Sequence, residues 1–317
     1  MSTLTGPGST NRTDRRWGVY GADLGHMFEH KGRVYIVFGD TYGPDRSEWR
    51  SNTMAWTEDA DPSNGLVLAG MIEGTPGHAK ELLASRKVWG WERTVIPTYG
   101  VSVGGRMYLH YMSVRYWGRN GRWTLGHSGL AYSDDDGQTW TKDRHAIWPG
   151  GGSFGQVAFV KHQAQVYLYG IPAGRFGGVK LARVKEDRLL NLSAYEYWTG
   201  TSWSVNPAAS AMVVPAPVGE LSVQWHSYYG KWLMMYLDEQ QRAIVLRTAD
   251  SLTGPWSAPY PVATAAQYPR LYAPYLAPRW DDGPEVYFTM STYEPYAVHL
   301  MRVTLPKAVA GVRRRHS

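Results

Sequence analysis

The sequence predicts an all-β chain folded as a single five-bladed β-propeller, and three observations carry that expectation. Helical periodicity is nearly absent; Gly77 to Lys87 (GHAKELLASRK) is the one short helical candidate. One theme recurs five times: a small-residue strand, a turn, a strand of the Val-Tyr-Ile or Trp-Leu-Met-Met-Tyr type, and a strand ending near Trp or Pro. Tyr35, Tyr108, Tyr167, Leu233 and Tyr287 mark the second strand of each unit, at spacings of 73, 59, 66 and 54 residues. Units this long, with three or four strands each, fit propeller blades better than solenoid turns. Finally, Ser133-Asp134-Asp135-Asp136-Gly137-Gln138-Thr139-Trp140 fits the Asp-box turn S-x-D-x-G-x-T-W. In such a turn Ser and Asp bond turn amides and Gly takes the special φ, so the motif speaks for architecture and not for catalysis. A two-domain β-sandwich is the competing architecture.

Taken in order, residues 1–16 are polar and rich in Gly, Ser and Thr, which reads as a flexible leader or an edge strand. The propeller is expected over residues 17–306. Its first blade holds two aromatic-rich runs around His30-Lys31-Gly32-Arg33, with Lys31-Gly32 as a two-residue hairpin loop, then a third strand and a turn-rich exit from Asp59 to Gly65. The second blade turns at Gly104-Gly105 and carries the Asp box. The third spans residues 155–204. The fourth turns at Tyr229-Gly230 and holds a degenerate Asp box at residues 249–256. The fifth spans residues 272–305. Residues 307–317 form a basic tail ending in Arg313-Arg314-Arg315.

Composition narrows the function. With 43% hydrophobic and 14% aromatic residues the chain has ample material for a core, so disorder is not its class. Trp 15 and Tyr 22 against Phe 6 favours rings with polar handles, which suit both half-buried strands and carbohydrate-facing clefts. There is no cysteine, hence no disulfide and no thiolate metal site. His26, His110 and His226 lack metal-ligand spacing, and no Walker loop, G-x-S-x-G elbow or dinucleotide fingerprint is present, so no metal and no cofactor is expected. The first twenty residues hold no apolar core of a signal peptide, and no apolar run approaches membrane-spanning length. The net charge of +6 is spread among acids, which disfavours a nucleic-acid partner.

The chemistry is expected at one mouth of the central channel. The start of each inner strand and the end of the next lie together there, because the two strands are antiparallel. A two-residue Lys31-Gly32 loop places Asp23 directly opposite Asp40, with Cβ atoms roughly 4.5–5.5 Å apart. Like charges held so raise one pKa, which separates an acid from a base. The bland alternative is that each Asp caps a Gly-rich turn. The same register logic brings Glu220 and Asp238 of the fourth blade, and His110 and Tyr111 of the second, to that mouth. Glu220 is the expected third catalytic acid beside Asp23 and Asp40. Arg50 and Asn52 follow the Asp40 loop as candidate hydroxyl binders, and Trp91 and Tyr272 as candidate stacking rings. Paired acids at an aromatic-rich propeller mouth, without a cofactor motif, favour glycoside hydrolysis.

The segments GADLGHMF, FGDTYG, RSNTMAWTEDADPSNGL and IPTYGVSVGGRMYLHYMSV resemble the endo-D-arabinanases of glycoside hydrolase family 183, formerly a domain of unknown function. The similarity continues through GELSVQWHSYYGKWLMMY and LYAPYLAP, over roughly residues 17–305. The resemblance implies a five-bladed propeller cutting internal linkages of D-arabinan, the furanoside polymer of mycobacterial arabinogalactan and lipoarabinomannan, with Asp23 and Asp40 as the acidic pair. With no signal peptide as written, a phage virion or tail-associated enzyme acting on the cell envelope is expected. Direct opposition of the two Asp favours retention, whereas a bulge between them, or Glu220 as the true partner, favours inversion. Two alternatives stand beside this reading: a sialidase-like hydrolase, which needs convergent arginines (Arg50, Arg93, Arg115 and Arg247 being available), and a non-catalytic propeller that binds cell-wall glycan.

Overall fold

The computed structural model describes residues 1–310 and shows the five blades. Their innermost strands are Gly21–His30, Thr94–Val103, Gln156–His162, Leu221–His226 and Leu271–Leu276, and each touches the next around a closed ring. Outward from these, each blade adds antiparallel strands: Arg33–Tyr42 and Thr53–Thr57 in the first, Arg106–Trp117, Trp123–Ser133 and Thr141–Pro149 in the second. The third blade is the largest, with Met212–Val218 pairing beside Gly177–Lys185. The apolar core lies between blades, where the faces of successive sheets meet.

Ring closure uses the N-terminus. Ser2–Thr3 is the outermost strand of the fifth blade, pairing Ser2 with Leu300 and Thr3 with His299. Leu4 continues the ladder (N–H to Val298 O, 2.8 Å) and is fully buried. Buried Asn11 donates to Leu4 O and Leu66 O and accepts from Leu68 N–H, tying this segment to the first blade. Residues 1–16 are therefore an edge strand and a packed connection, not a flexible leader. The N-terminal strand covers the sheet edge that the last blade would otherwise present. Arg313, Arg314 and Arg315 lie outside the described residues.

The Asp box forms as its residues dictate. Asp135 accepts from Ser133 Oγ (2.8 Å), Thr139 N–H (2.8 Å) and Thr139 Oγ1 (2.6 Å), while Gly137 at φ 91° donates its N–H to Ser133 Oγ. Asp136 adds an inter-blade tie by accepting from His30 Nε2 (2.9 Å) and Lys31 Nζ of the first hairpin.

Two expectations are corrected here. Residues 77–87 contain no helix; only His78–Ala79 is regular, as a short strand. The reason is Asn52, whose Oδ1 accepts from Leu82 N–H (3.0 Å) and Leu83 N–H (2.8 Å) and whose Nδ2 donates to Leu83 O (2.9 Å) and Val95 O (2.8 Å). Those bonds replace helical ones and seat Leu82 and Leu83 in the core between the first two blades. In the fourth blade the turn is four residues long, since His226 pairs with Lys231. Asp281 holds it open by accepting from Ser227 N–H and Oγ. Leu221 consequently pairs with Tyr236, and Asp238 falls two residues beyond its expected place.

Asn52→Ala would leave four buried backbone groups without partners, each costing about 1–3 kcal/mol. The expected result is a loss of at least ~3 kcal/mol in urea unfolding; a loss below ~0.5 kcal/mol would contradict the assignment of Asn52 as an inter-blade clamp.

Candidate active site

Asp23 and Asp40 come together on the first blade, but not as a directly opposed pair. The hairpin keeps the expected register from His30↔Arg33 to His26↔Val37 and again at Ala22↔Thr41. Between these stretches Leu24 pairs with Phe38, so the inner strand carries one extra residue at Gly25 and the outer strand one extra at Gly39–Asp40. Two compensating bulges thus bracket the site. Leu24 (φ 64°) and Gly25 (φ 87°) are both left-handed, and a Cβ at Gly25 would lie 2.7 Å from Val298. Thr289 and Ser291 of the fifth blade hold the bulge by donating to Gly25 O (2.8 Å) and Leu24 O (3.3 Å). Asp23 then faces Gly39, where a Cβ would lie 2.5 Å from Asp23 Oδ1.

Both carboxyls open onto one pocket at the channel mouth, with an empty volume of about 460 Å³. Tyr272 donates its hydroxyl to Asp23 Oδ2 (2.9 Å). Asp23 is pushed up to about 7, by burial first and by the negative charge of Asp40 second, with the Tyr296 and Tyr272 hydroxyls opposing the rise. Asp40 Oδ1 accepts from Trp49 Nε1 (2.8 Å) and Thr94 Oγ1 (2.8 Å). Burial pushes Asp40 up to about 6, and the Trp49 and Thr94 bonds, with the charges of Lys87 and Arg93, restrain it.

Glu220 faces the same pocket from the head of the fourth inner strand, and Arg175 holds it. The guanidinium donates from Nε (3.0 and 3.1 Å) and Nη2 (2.8 Å) to the Glu220 carboxylate and from Nη1 to Glu239 (3.1 Å). Glu220 is thus an ion-paired wall of the pocket. Tyr272 lines the pocket as expected, whereas Trp91 does not line it and leaves its ring exposed on the surface.

The remaining expected binders are placed elsewhere. Arg50 is buried and donates to Ala79 O (2.9 Å) and Gly18 O (2.6 Å). Asn52 is the clamp described above. His110 is buried in the core of the second blade, its Nδ1 within 2.7 Å of Thr98 Oγ1, and Tyr111 packs between the first two blades with its hydroxyl 3.4 Å from His127 Nε2. As successive residues of one strand they point to opposite faces of the blade, His110 onto Trp148 and Phe159 and Tyr111 into the core shared with the first blade, so neither lines the pocket. Asp238 caps its own turn, accepting from Gln240 N–H, Gln241 N–H and Gln241 Nε2. Among the described residues no group of three or more His, Cys, Asp or Glu could hold a metal ion.

The residues not anticipated are Arg175, Trp49, Thr94, Tyr296 and Gln156, the last lining the pocket while its Nε2 donates to Gly174 O (3.0 Å). Arg175 follows Gly174 in the third blade's loop between strands two and three, a position that by register belongs to the mouth. No arginine triad assembles: among the described residues lining the pocket Arg175 is the one arginine, and Arg247 is spent on Tyr236 and Ser257.

Because both carboxyls are raised, their protonated forms stabilise the fold below about pH 4, and that stability is lost as pH rises through about 6 and 7. Asp23→Asn is therefore expected to be more stable than the wild type at pH 8, by roughly 2–4 kcal/mol, with the difference vanishing at pH 4. Equal pH dependence of urea unfolding in the two proteins would contradict the raised Asp23.

Comparison with known proteins agrees with this architecture. A GH43_1 enzyme from Xanthomonas citri superposes with a TM-score of 0.57 at 15% identity, over 98% of this chain and 94% of that one. An exo-beta-1,3-galactanase from Phanerochaete chrysosporium superposes with a TM-score of 0.60 at 12% identity, over 96% of this chain and 64% of that one. These likenesses establish the five-bladed propeller fold. In sequence, the chain is 28% identical over 293 residues to notoamide biosynthesis cluster protein J of Aspergillus sp. (strain MF297-2), covering 79% of this chain and 73% of that protein. The model of the domain of unknown function DUF4185 matches residues 8–302, nearly the whole chain, and the protein belongs to that family.

Proposed function

We propose that this protein is a glycoside hydrolase that cleaves internal D-arabinofuranosyl linkages of mycobacterial-type arabinan, with Asp23 as general acid and Asp40 as general base. The observation that carries the reading is the pair itself: two carboxyls in one pocket, pushed up to about 7 and about 6 by burial and, for Asp23, by the charge of its neighbour. Of the two, Asp40 has its ionised form favoured by the Trp49 and Thr94 hydrogen bonds and by the charges of Lys87 and Arg93, so Asp23 is the one that keeps a proton, the division of labour that glycosidic cleavage needs. Asp23 gives its proton to the glycosidic oxygen as the C–O bond breaks, and the leaving sugar departs as an alcohol. Asp40 takes a proton from the water that bonds to the anomeric carbon. Solvent exchange then resets both groups. The offset created by the bulges favours a water between carboxyl and sugar, hence inversion. Support for the substrate class comes from the resemblance of the segments around Asp23 and Asp40 to the endo-D-arabinanases. The glycoside hydrolase neighbours support the reaction class through the fold.

A sialidase-like site is disfavoured, because the pocket's arginine is engaged by Glu220 and Glu239.

Wild-type protein should release short arabino-oligosaccharides from purified mycobacterial arabinogalactan, with the anomeric configuration inverted in the first-formed product by ¹H NMR. Folded Asp23→Asn and Asp40→Asn should each lose about 10²–10⁴-fold in rate. No product from the wild type, with polymer still bound, would replace the hydrolase by a glycan-binding propeller. The rate should rise with pH through about 6 and fall beyond about 7. Trp49→Phe removes a hydrogen bond that lowers the Asp40 pKa, so its acidic limb should move to higher pH. An unmoved limb would contradict the role of Trp49 in positioning the base.

A further inference from the structure

We infer that the glycan lies across the first blade in an extended track, held by an aromatic arm on each side of the Asp23–Asp40 pocket. This inference rests on the reading that the pocket acts on a glycan, and it adds where the uncleaved neighbouring sugars are bound.

The first arm belongs to the second blade. Trp117 ends its second strand, lines the pocket beside the carboxyls, and packs edge-on against Trp123 at 5.4 Å between centroids. Beyond it Tyr116 meets Trp89 (5.2 Å, edge-on), and Trp91 carries the guanidinium of Arg86 over its ring at 4.2 Å. Trp89 and Trp91 are each 61% exposed. These rings sit on a stiff support and not on a loose loop. Gly90 and Arg115 bond reciprocally (Gly90 N–H to Arg115 O, 3.3 Å; Arg115 Nε to Gly90 O, 3.0 Å), and Arg93 N–H donates to Val114 O at 2.7 Å. Gly90 adopts φ 82°, and a Cβ there would lie 2.7 Å from the Tyr116 hydroxyl, so the loop hugs the strand end.

The second arm lies on the opposite side of the carboxyls, at the seam of the fifth and first blades. Tyr42 meets Tyr296 edge-on at 5.5 Å, Tyr293 meets Tyr296 at 6.1 Å, and the guanidinium of Arg46 lies within 5.9 Å of all three ring centres. Tyr42, Arg46 and Tyr296 border a groove of about 900 Å³, and Tyr293, exposed to solvent, packs on Tyr296 beside it. Tyr296 joins this groove to the pocket, since its hydroxyl donates to Asp40 O (3.1 Å) and lies against Asp23.

Large rings held rigid and open to water cost hydration free energy that a ligand recovers. Here they lie among guanidinium and hydroxyl groups, and each group of rings reaches the carboxyls through one member, Trp117 on one side and Tyr296 on the other. That combination suits a chain of sugars, whose C–H faces stack on rings while its hydroxyls bond to polar edges. Arms on both sides also require chain on both sides of the scissile bond, so the enzyme attacks within the polymer and not from its end.

The test compares wild type, Trp89→Ala and Tyr293→Ala with Trp225→Ala, whose exposed ring lies at the opposite mouth of the channel. Retardation in gels containing mycobacterial arabinogalactan reports binding. The ratio of kcat/KM on the polymer to that on the shortest cleaved arabino-oligosaccharide reports the track. Trp89→Ala and Tyr293→Ala should each weaken retardation and lower the ratio by about three- to tenfold, with Trp225→Ala unchanged. Wild-type retardation and ratio in both arm variants, with folding verified by circular dichroism, would overturn the track while leaving the hydrolase intact. If the wild type releases no product, the hydrolase reading fails; the retardation arm alone then decides the track, upheld by loss in both arm variants and overturned by its absence.

Discussion

The confinement of two carboxyls to one short, doubly bulged stretch of hairpin is the constraint on which the rest of the site depends. A regular antiparallel pair would set Asp23 and Asp40 side by side, at a Coulombic cost with nothing between them. The extra residue at Gly25 and its compensation at Gly39–Asp40 displace them from that arrangement while restoring the register on either side. The device needs glycine at two places. At Gly25 the left-handed backbone and Val298 exclude a Cβ, and at Gly39 the carboxylate of Asp23 does so. It also needs the fifth blade, because Thr289 and Ser291 hold the bulge carbonyls and Tyr272 and Tyr296 flank Asp23. Blade five is in turn closed by the N-terminal strand, so the geometry at residues 23 and 40 depends on residues 2 and 3.

The electrostatics follow from this placement. Desolvation favours the protonated form of both carboxyls, but the two are not equivalent. Asp40 receives two hydrogen bonds and lies near Lys87 and Arg93, whereas Asp23 is hydrogen-bonded by phenols and faces another anion. The phenols themselves stay protonated, because burial and the charge of Asp23 push Tyr272 and Tyr296 well above their usual range. Environment thus gives two identical side chains different tendencies to hold a proton. Glu220 is a different case: its forked pairing with Arg175 fills the pocket wall and ties the third and fourth blades across the mouth.

Much of this was legible in the sequence. The blade repeat, the Asp box, the first hairpin and the acids at its mouth end were all read from local pattern, because turn glycines and alternating strands are local signals. A bulge between the two Asp stood only as an alternative, and its place at Gly25 was not legible, since Leu24-Gly25 looks like ordinary strand until Val298 and Thr289 close over it. Arg50 and Asn52 have the chemistry of ligand binders, yet buried backbone carbonyls and amides claim them first; a sequence shows a donor but not its partner. Residues 77–87 have helical composition, and the Asn52 side chain overrides it. The fourth-blade turn took its length from Asp281, more than fifty residues away. Arg175 carried only the positional signal of its loop, and its two glutamate partners lie far along the chain.

The most direct test of the central claim is a ¹³C NMR titration of the aspartate side-chain carboxyls in wild type and Asp40→Asn. Two carboxyls of the wild type should titrate with apparent midpoints near 6 and 7, and the upper midpoint should fall when Asp40 is replaced. If both carboxyls titrate near 4 in the wild type, or if the upper midpoint is unmoved by Asp40→Asn, the pair does not share its electrostatics and the acid–base assignment is wrong.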